Sequence, residues 1–204
     1  MSARSQVAKL RRGVLSAACR RLVSLGLEGP IVTFSFDDFP RTSVTLGARI
    51  LESFGARATY YTSMSLMNTT NRLGEQFRRE DLETLHDCGH EVASHTFSHV
   101  SARQVGYYTF KQDVERGEAA IEEVIGVAPS GNFAYPYGDV TLRAKKNLGT
   151  ELISSRGTCG GLNGPEIDLN LLRGNSLYGG LDRANAAKQL ILKNEQQRSW
   201  LIVL

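Results

Sequence analysis

The sequence predicts a single α/β domain in which parallel strands are surrounded by helices. The chain has 204 residues, and 41% are hydrophobic and 22% charged. This size and composition fit one large soluble domain with a sizeable core. Short β-branched or aromatic runs alternate with helical patterns along most of the chain. That order favours a parallel sheet covered by helices, either open or closed into a barrel.

Each element is predicted from its local pattern. The expected strands lie at 31–36, 58–62, 90–94, 132–135, 151–154 and 200–204. The expected helices lie at 43–54, 81–88, 109–125, 142–148 and 184–194. Ser43 is expected to cap the first of these helices, and Gly55 and Gly89 to end the first and second. Residues 156–178 are rich in Gly and Asn and predict a long loop with little regular structure.

The net charge of +3 is too small to indicate a nucleic-acid-binding protein. Much of the excess lies in a basic N-terminal helical segment, predicted at 1–28, before the α/β domain at 29–204. Its basic residues are Arg4, Lys9, Arg11, Arg12, Arg20 and Arg21. They interrupt the apolar runs, so we expect neither a signal peptide nor a membrane span. A packed or solvated helix is favoured over surface contact with acidic lipid.

The three cysteines are Cys19, Cys88 and Cys159, and they stand far apart. Their odd number and the absence of a CxxC pair argue against a disulfide framework or a thiolate zinc site. Reduced thiols are the simpler interpretation, and we therefore expect a cytoplasmic protein.

Polar residues that could take part in catalysis or metal binding follow three of the predicted strands. They are Asp37-Asp38, then His95-Thr96-Phe97-Ser98-His99, then Tyr135-Pro136-Tyr137-Gly138. In α/β folds with parallel strands the chemistry lies at the carboxyl ends of the strands. We therefore expect these three segments to meet at one edge of the sheet.

The spacing of His95 and His99 would place both imidazoles on one face of a helical turn. Two imidazoles and one carboxylate make a three-ligand site for zinc or a similar divalent metal, with a fourth position free for water. The alternatives are a turn or a helix cap for the aspartates and unrelated roles for the two histidines. His86 and His90 have no such partner spacing and are expected to be structural.

Taken in order, the three segments resemble the motifs of the polysaccharide deacetylase family, also called the NodB-homology fold or carbohydrate esterase family 4. The resemblance covers residues 30–204. The second segment fits the family pattern H(S/T)xxH fully, whereas the first and third correspond to TFDDG and RPPYG with substitutions. The fold that it implies is a distorted (β/α) barrel with fewer strands than usual.

The resemblance also implies roles for individual residues. Asp38, His95 and His99 are the expected metal ligands, for zinc first and otherwise cobalt or another divalent ion. Asp37 is the expected general base for a metal-activated water that attacks the acetyl carbonyl. The backbone N–H of Tyr137 is the expected oxyanion donor. Tyr135 and Pro136 of the same motif are expected to contact the carbohydrate substrate.

The sequence departs from the family pattern at two places. Ala134 stands where the family usually has an arginine that orients the base. Arg156, after a later strand, is the candidate replacement, and the alternative is a surface arginine. The family also supplies a general acid from a histidine after the last strand, whereas the sequence ends at Leu204. We therefore expect the chain to be truncated at its C-terminus.

The resemblance implies a hydrolase that removes N-acetyl groups from amino sugars of a bacterial oligo- or polysaccharide. The same chemistry would serve a deacylase of another amide or of an O-acetyl ester. A non-catalytic carbohydrate-binding protein that kept the metal site is a third possibility, motivated by Ala134 and by the missing histidine.

Overall fold

The computed structural model describes residues 3–178 and 180–204, with side chains described except at 3–5, 7–9, 12, 180 and 181. The predicted basic segment therefore falls partly outside the described residues, at positions 1 and 2 and at the side chains of Arg4, Lys9 and Arg12. The strands are β1 (Leu22–Ser24), β2 (Ile31–Asp37), β3 (Ala58–Thr62), β4 (Thr70–Asn71), β5 (Gly74–Glu75), β6 (Glu91–Ser94), β7 (Asn132–Ala134), β8 (Ser154–Arg156), β9 (Glu166–Asp168) and β10 (Trp200–Val203).

The central sheet is parallel and has the order β10-β2-β3-β6-β7-β8. It curls into a half-barrel with helices around it, which confirms the predicted fold class. Two small antiparallel pairs, β1 with β9 and β4 with β5, lie outside this sheet.

The helices are α1 (Ala3–Ala17), α2 (Arg49–Ser53), α3 (Arg79–Asp87), α4 (Tyr107–Ile125), α5 (Leu142–Leu148) and α6 (Gly180–Gln197). A π-helical stretch, Ser43–Ala48, leads directly into α2. The prediction that Ser43 caps this helix is wrong, because residues 41 and 42 are already helical. The backbone carbonyl of Ser43 instead accepts a hydrogen bond from the Tyr60 hydroxyl.

The last strand before the long loop was predicted too early, at 151–154. The structure places β8 at Ser154–Arg156, in register with Asn132–Ala134 of β7. Its three polar residues are all buried, whereas Ile153 is exposed. A search for apolar runs misses this strand because its buried faces carry polar side chains.

The predicted loop is more ordered than expected. Besides β9, it contains residues 172–177, hereafter the closing segment, which pairs in parallel with both edge strands of the half-barrel. On the β8 side, Leu172 N donates to Ser155 O over 2.8 Å, and Gly157 N donates to Leu172 O over 3.1 Å. On the β10 side, Asn175 N donates to Ile202 O over 2.9 Å. The closing segment therefore joins the two edges of the sheet.

The N-terminal segment is packed against the domain rather than helical throughout, since β1 follows α1. The buried Lys145 of α5 donates from Nζ to the carbonyls of Leu15 and Ala18, over 2.6 and 2.8 Å. The same ammonium lies 2.6 Å from Asp168 Oδ2 of β9. These contacts fix the end of α1 to both α5 and β9. In the described part of the chain, no helix is long and apolar enough to cross a membrane.

Candidate active site

The three motif segments meet at the carboxyl edge of the half-barrel, as the sequence predicted. Asp37 ends β2 and Asp38 follows it, while the histidine segment follows β6 and the tyrosine segment follows β7. Because β2 and β6 both flank β3 and β7 pairs with β6, the three strand ends are close neighbours.

Asp38, His95 and His99 form a cluster that fits a divalent metal. One ligand atom from each residue lies within 4.8 Å of the others. Asp38 Oδ2 is 2.6 Å from His99 Nε2 and 3.9 Å from His95 Nε2. The second carboxylate oxygen, Oδ1, is buried and has no hydrogen-bond partner among the described residues. An unpaired buried carboxylate oxygen is costly unless a cation or proton satisfies it, so this donor set suits a bound metal.

Neighbouring groups orient the first histidine. The imidazole of His95 is buried, and its Nδ1 lies 2.7 Å from the backbone carbonyl of Ala134. Because a carbonyl can only accept, Nδ1 carries the proton and Nε2 is left with a free lone pair facing Asp38. A backbone carbonyl behind a ligating histidine is a usual way to fix its tautomer and ring orientation.

The charges of this cluster favour an ionised Asp38. Burial opposes the charge, but the hydrogen bond with His99 and the electrostatic influence of the two imidazoles outweigh it and lower the pKa of Asp38 below its usual value. A carboxylate that stays ionised is the form that binds a cation.

Arg156 lies beside Asp37, as the candidate-replacement hypothesis requires. Its Nη2 pairs with Asp37 Oδ1. Arg156 is only 1% exposed, and its guanidinium carbon lies 4.3 Å from the ring centroid of Tyr61. Arg156 occupies the register position next to Ala134, on the neighbouring strand. The alternative of a surface arginine is therefore wrong, while the role of Arg156 in catalysis stays a prediction.

The tyrosine motif is divided between the core and the site. The ring of Tyr135 packs between Phe110 and Phe133 in the core, with centroid separations of 6.2 and 5.1 Å. Pro136 is also buried. Tyr137 is 64% exposed, and its ring centroid lies 4.4 Å from that of His99. Side-chain contact between Tyr135 and substrate, as predicted, conflicts with this burial, and Tyr137 is the accessible ring of the motif.

Several site residues have a left-handed backbone. Positive φ occurs at Asp38 (43°), Thr96 (65°), His99 (53°) and Tyr137 (59°). This conformation is uncommon for residues other than glycine, and such residues concentrate at functional sites. The surrounding contacts must therefore hold these turns in place.

Helix α4 supplies the contacts for the histidine segment, and sequence reasoning missed them. Asp113 accepts hydrogen bonds at its carboxylate from Ser98 N (2.8 Å) and Ser98 Oγ (2.9 Å), and at its carbonyl from Phe97 N (2.9 Å). Gly117 allows the close approach, since a Cβ there would lie 2.9 Å from Phe97 N. No local pattern predicts which helix residue faces a distant loop.

The remaining histidine predictions can be compared with their surroundings. His90 is buried, accepts the Ala58 N–H at Nδ1 (3.1 Å) and faces Glu52 Oε1 from Nε2 at 3.0 Å. This arrangement confirms that His90 is structural. His86 lies in the last turn of α3, away from the metal cluster.

The fold and the site define an α/β half-barrel protein with an Asp-His-His cluster, suited to a divalent metal, at the carboxyl ends of its strands. Residues 26–152 match the family model described as polysaccharide deacetylase. The chain therefore belongs to the polysaccharide deacetylase family, which confirms the resemblance seen in its motifs. A search of curated proteins found no match.

Solved structures show the same fold at low sequence identity. The Streptococcus pyogenes deacetylase PplD, in complex with acetate, superposes with a TM-score of 0.67 and 14% identity over 93% of this chain and 78% of that chain. The family 4 carbohydrate esterase from Streptomyces lividans, also in complex with acetate, has a TM-score of 0.57 and 18% identity over 87% of this chain and 80% of that chain. IcaB from Ammonifex degensii has a TM-score of 0.57 and 19% identity over 63% of this chain. The match spans 60% of the length of that chain.

Proposed function

We propose that this chain is a metal-dependent hydrolase that removes N-acetyl groups from the amino sugars of an oligo- or polysaccharide. The observation that carries the proposal is the convergence of Asp38, His95 and His99 beside the Asp37–Arg156 pair, at the mouth of the half-barrel. Zinc is the first candidate, because carboxylate and imidazole donors suit it. The family and the acetate complexes of PplD and the Streptomyces lividans esterase support deacetylation.

The metal would be held by Asp38 and by the imidazoles of His95 and His99. When bound, such an ion supplies Lewis-acid chemistry, polarising a carbonyl and lowering the pKa of a water to roughly 7. Asp37 accepts the proton of the attacking water, and the Arg156 guanidinium holds the Asp37 carboxylate in place. The Tyr137 backbone N–H donates to the developing oxyanion, a contribution typically worth about 3 kcal/mol.

The proton for the leaving amine needs a donor. Within this scheme, Asp37 returns the proton that it has accepted. Loss of a separate general acid typically lowers the rate by about 10²–10⁴-fold. A form extended beyond Leu204 tests whether a further residue supplies this proton.

The test is acetate release from an N-acetylglucosamine oligomer with added zinc or cobalt. Release that disappears with EDTA and in Asp38→Ala supports the proposal. Asp87→Ala is the matched control, because Asp87 is exposed at the end of α3. No release from the chain that ends at Leu204 or from a form extended beyond it, with metal bound, would refute deacetylation of this substrate.

A second candidate is the hydrolysis of an O-acetyl ester. The Streptomyces lividans neighbour is named as a carbohydrate esterase, and the same residues would serve an ester carbonyl. A panel of N-acetylated and O-acetylated saccharides separates the two by their kcat/KM ratio.

Action in the cytoplasm is a separate proposal. All three cysteines are exposed and unpaired in the structure, which suits a reducing compartment. Fractionation of cells that produce the tagged natural protein would test it, and recovery outside the cytoplasmic fraction would overturn it.

A further inference from the structure

The closing segment brings one more side chain to the edge of the half-barrel where the site lies. It runs parallel to β10, and Leu177 N donates to Leu204 O over 2.7 Å at its end. The next residue, Tyr178, therefore follows the carboxyl end of a strand-like segment, as Asp38 and Tyr137 follow the ends of β2 and β7. Residues at this position in the fold line the barrel mouth.

The surroundings of Tyr178 agree with this position. Burial raises the pKa of its phenol, and the carboxylates of Asp37 and Asp38 raise it further. Both carboxylates lie at the carboxyl end of β2, at the edge of the half-barrel that the closing segment also reaches. Tyr178 is nevertheless 65% exposed, so that it is accessible to a ligand.

The order of strands places Tyr178 across the mouth from the histidine segment. Going round from the closing segment, β10 and β2 lie on one side, and β8 and β7 on the other. β3 and β6 are furthest away. Tyr137, after β7, presents the second exposed ring of the mouth. The two tyrosines thus flank the approach to the Asp38 cluster from the β7–β8–closing-segment side.

Apolar aromatic area is the feature that a saccharide-binding site needs. Tyrosine offers a large apolar face with little conformational entropy to lose, together with a polar hydroxyl at the edge. A pyranose presents C–H groups on its faces and hydroxyls around its rim, which matches such a ring. Phe54 is also exposed, but it lies at the C-terminal end of α2, on the opposite edge.

We propose that Tyr178 is a substrate-binding residue, whose ring stacks on a pyranose next to the sugar that is deacetylated. This inference rests on the proposed function and names a contact that selects chains over single sugars. Tyr60 and Tyr61 are buried in the core and present no ring to a sugar.

The experiment measures binding and turnover separately. Binding of a pentameric N-acetylglucosamine oligomer to the metal-free protein is followed by calorimetry for wild type, Tyr178→Ala, Tyr178→Phe and the control Phe54→Ala. Phe54 is 83% exposed, so the control removes a comparable aromatic surface away from the site. We expect Tyr178→Ala to weaken binding about tenfold, and Tyr178→Phe and Phe54→Ala to stay within about twofold of wild type.

Turnover supplies the second readout. Tyr178→Ala should raise KM for the pentamer about tenfold with little change in kcat, because the ring touches a neighbouring sugar and not the acetyl group. Equal binding by wild type and Tyr178→Ala, no binding by wild type, or an equal loss in Tyr178→Phe and Tyr178→Ala would each overturn the stacking proposal. Binding without acetate release would instead refute the proposed function and leave the stacking contact supported.

Discussion

The guanidinium of Arg156 pairs with the carboxylate of Asp37, although 119 positions separate the two residues in the sequence. The pair is almost fully enclosed: the Nε and Nη1 atoms of Arg156 have no hydrogen-bond partner among the described residues, and the guanidinium rests on the Tyr61 ring. Arg156 thus provides Asp37 with the charged partner that Ala134 cannot supply.

Removal of this guanidinium should lower both activity and stability. We expect Arg156→Gln to reduce kcat/KM about 10²-fold or more, because Asp37 loses its orienting partner. The free energy of unfolding should fall by about 3–5 kcal/mol, since the buried carboxylate is left unpaired. Steady-state kinetics and urea denaturation measure the two effects. Arg173→Gln is the control, because Arg173 donates to the Gly160 carbonyl and has no contact with Asp37. Wild-type kinetics in Arg156→Gln would remove Arg156 from the catalytic group.

Metal binding should stabilise the folded chain. At a zinc concentration of about 100 times Kd, the gain is about 2.7 kcal/mol, which raises Tm by about 5–10 °C for a chain of this size. Thermal unfolding followed by circular dichroism, with and without EDTA, measures the shift. Asp38→Ala should abolish it, whereas Asp87→Ala should keep it. A shift of the same size in Asp38→Ala would place the ion elsewhere.

Asp113 should raise the affinity of the site for metal by holding the histidine segment in place through Ser98. In Asp113→Ala, the Ser98 N–H and hydroxyl lose their acceptor, and the histidine segment loosens. We expect zinc affinity to fall about 10–100-fold, as for other residues that orient metal ligands. Competition with a chromogenic chelator gives the affinity. Glu122→Ala, on the solvent face of the same helix, should leave it unchanged. Unchanged affinity in Asp113→Ala would show that the turn holds without this carboxylate.

Gly117 should tolerate no side chain. Gly117→Ala would force a methyl group to within 2.9 Å of the Phe97 backbone, so α4 or the histidine segment must shift. We expect a loss of about 1–3 kcal/mol in the free energy of unfolding. Gly13→Ala in α1 is the matched control, since a Cβ there meets no atom within 4 Å. This control should gain up to about 1 kcal/mol from helix propensity. Equal effects of the two substitutions in urea denaturation would contradict the close packing.

The stability of the chain should also depend on Glu118. Burial raises the pKa of this carboxyl, and Glu115 and Glu151 raise it further. Because the folded-state pKa exceeds the unfolded value near 4.3, the charged form costs stability at neutral pH, and the cost vanishes as pH falls below that value. Glu118→Gln should therefore stabilise the chain at pH 7, by less than about 1 kcal/mol given partial exposure, and not at pH 4. Urea denaturation at both pH values tests this difference, which a pH-independent gain would contradict.

The sequence predicted most of the central sheet because its strands carry apolar or aromatic runs, as at Ile31–Asp37 and Ala58–Thr62. The metal cluster could also be predicted from the sequence, since its residues directly follow such strands. β8 could not be predicted, because Ser154 and Ser155 give no apolar signal. The pairing of β1 with β9 could not be predicted either, because it joins segments separated by more than half the chain. The roles of Asp113 and Gly117 were not predicted for a related reason, since they depend on packing between segments that are distant in the sequence.

The closing segment has a consequence for how the chain behaves in solution. By pairing with both β8 and β10, it occupies the backbone donors and acceptors that edge strands otherwise present to other molecules. Such unpaired edges are templates for aggregation, and a parallel sheet that assembles slowly exposes them for longer during folding. Deletion of residues 172–177 should therefore produce oligomers visible by light scattering under conditions in which the intact chain stays monodisperse. Chain solubility would then depend on a segment whose sequence has none of the usual features of a strand.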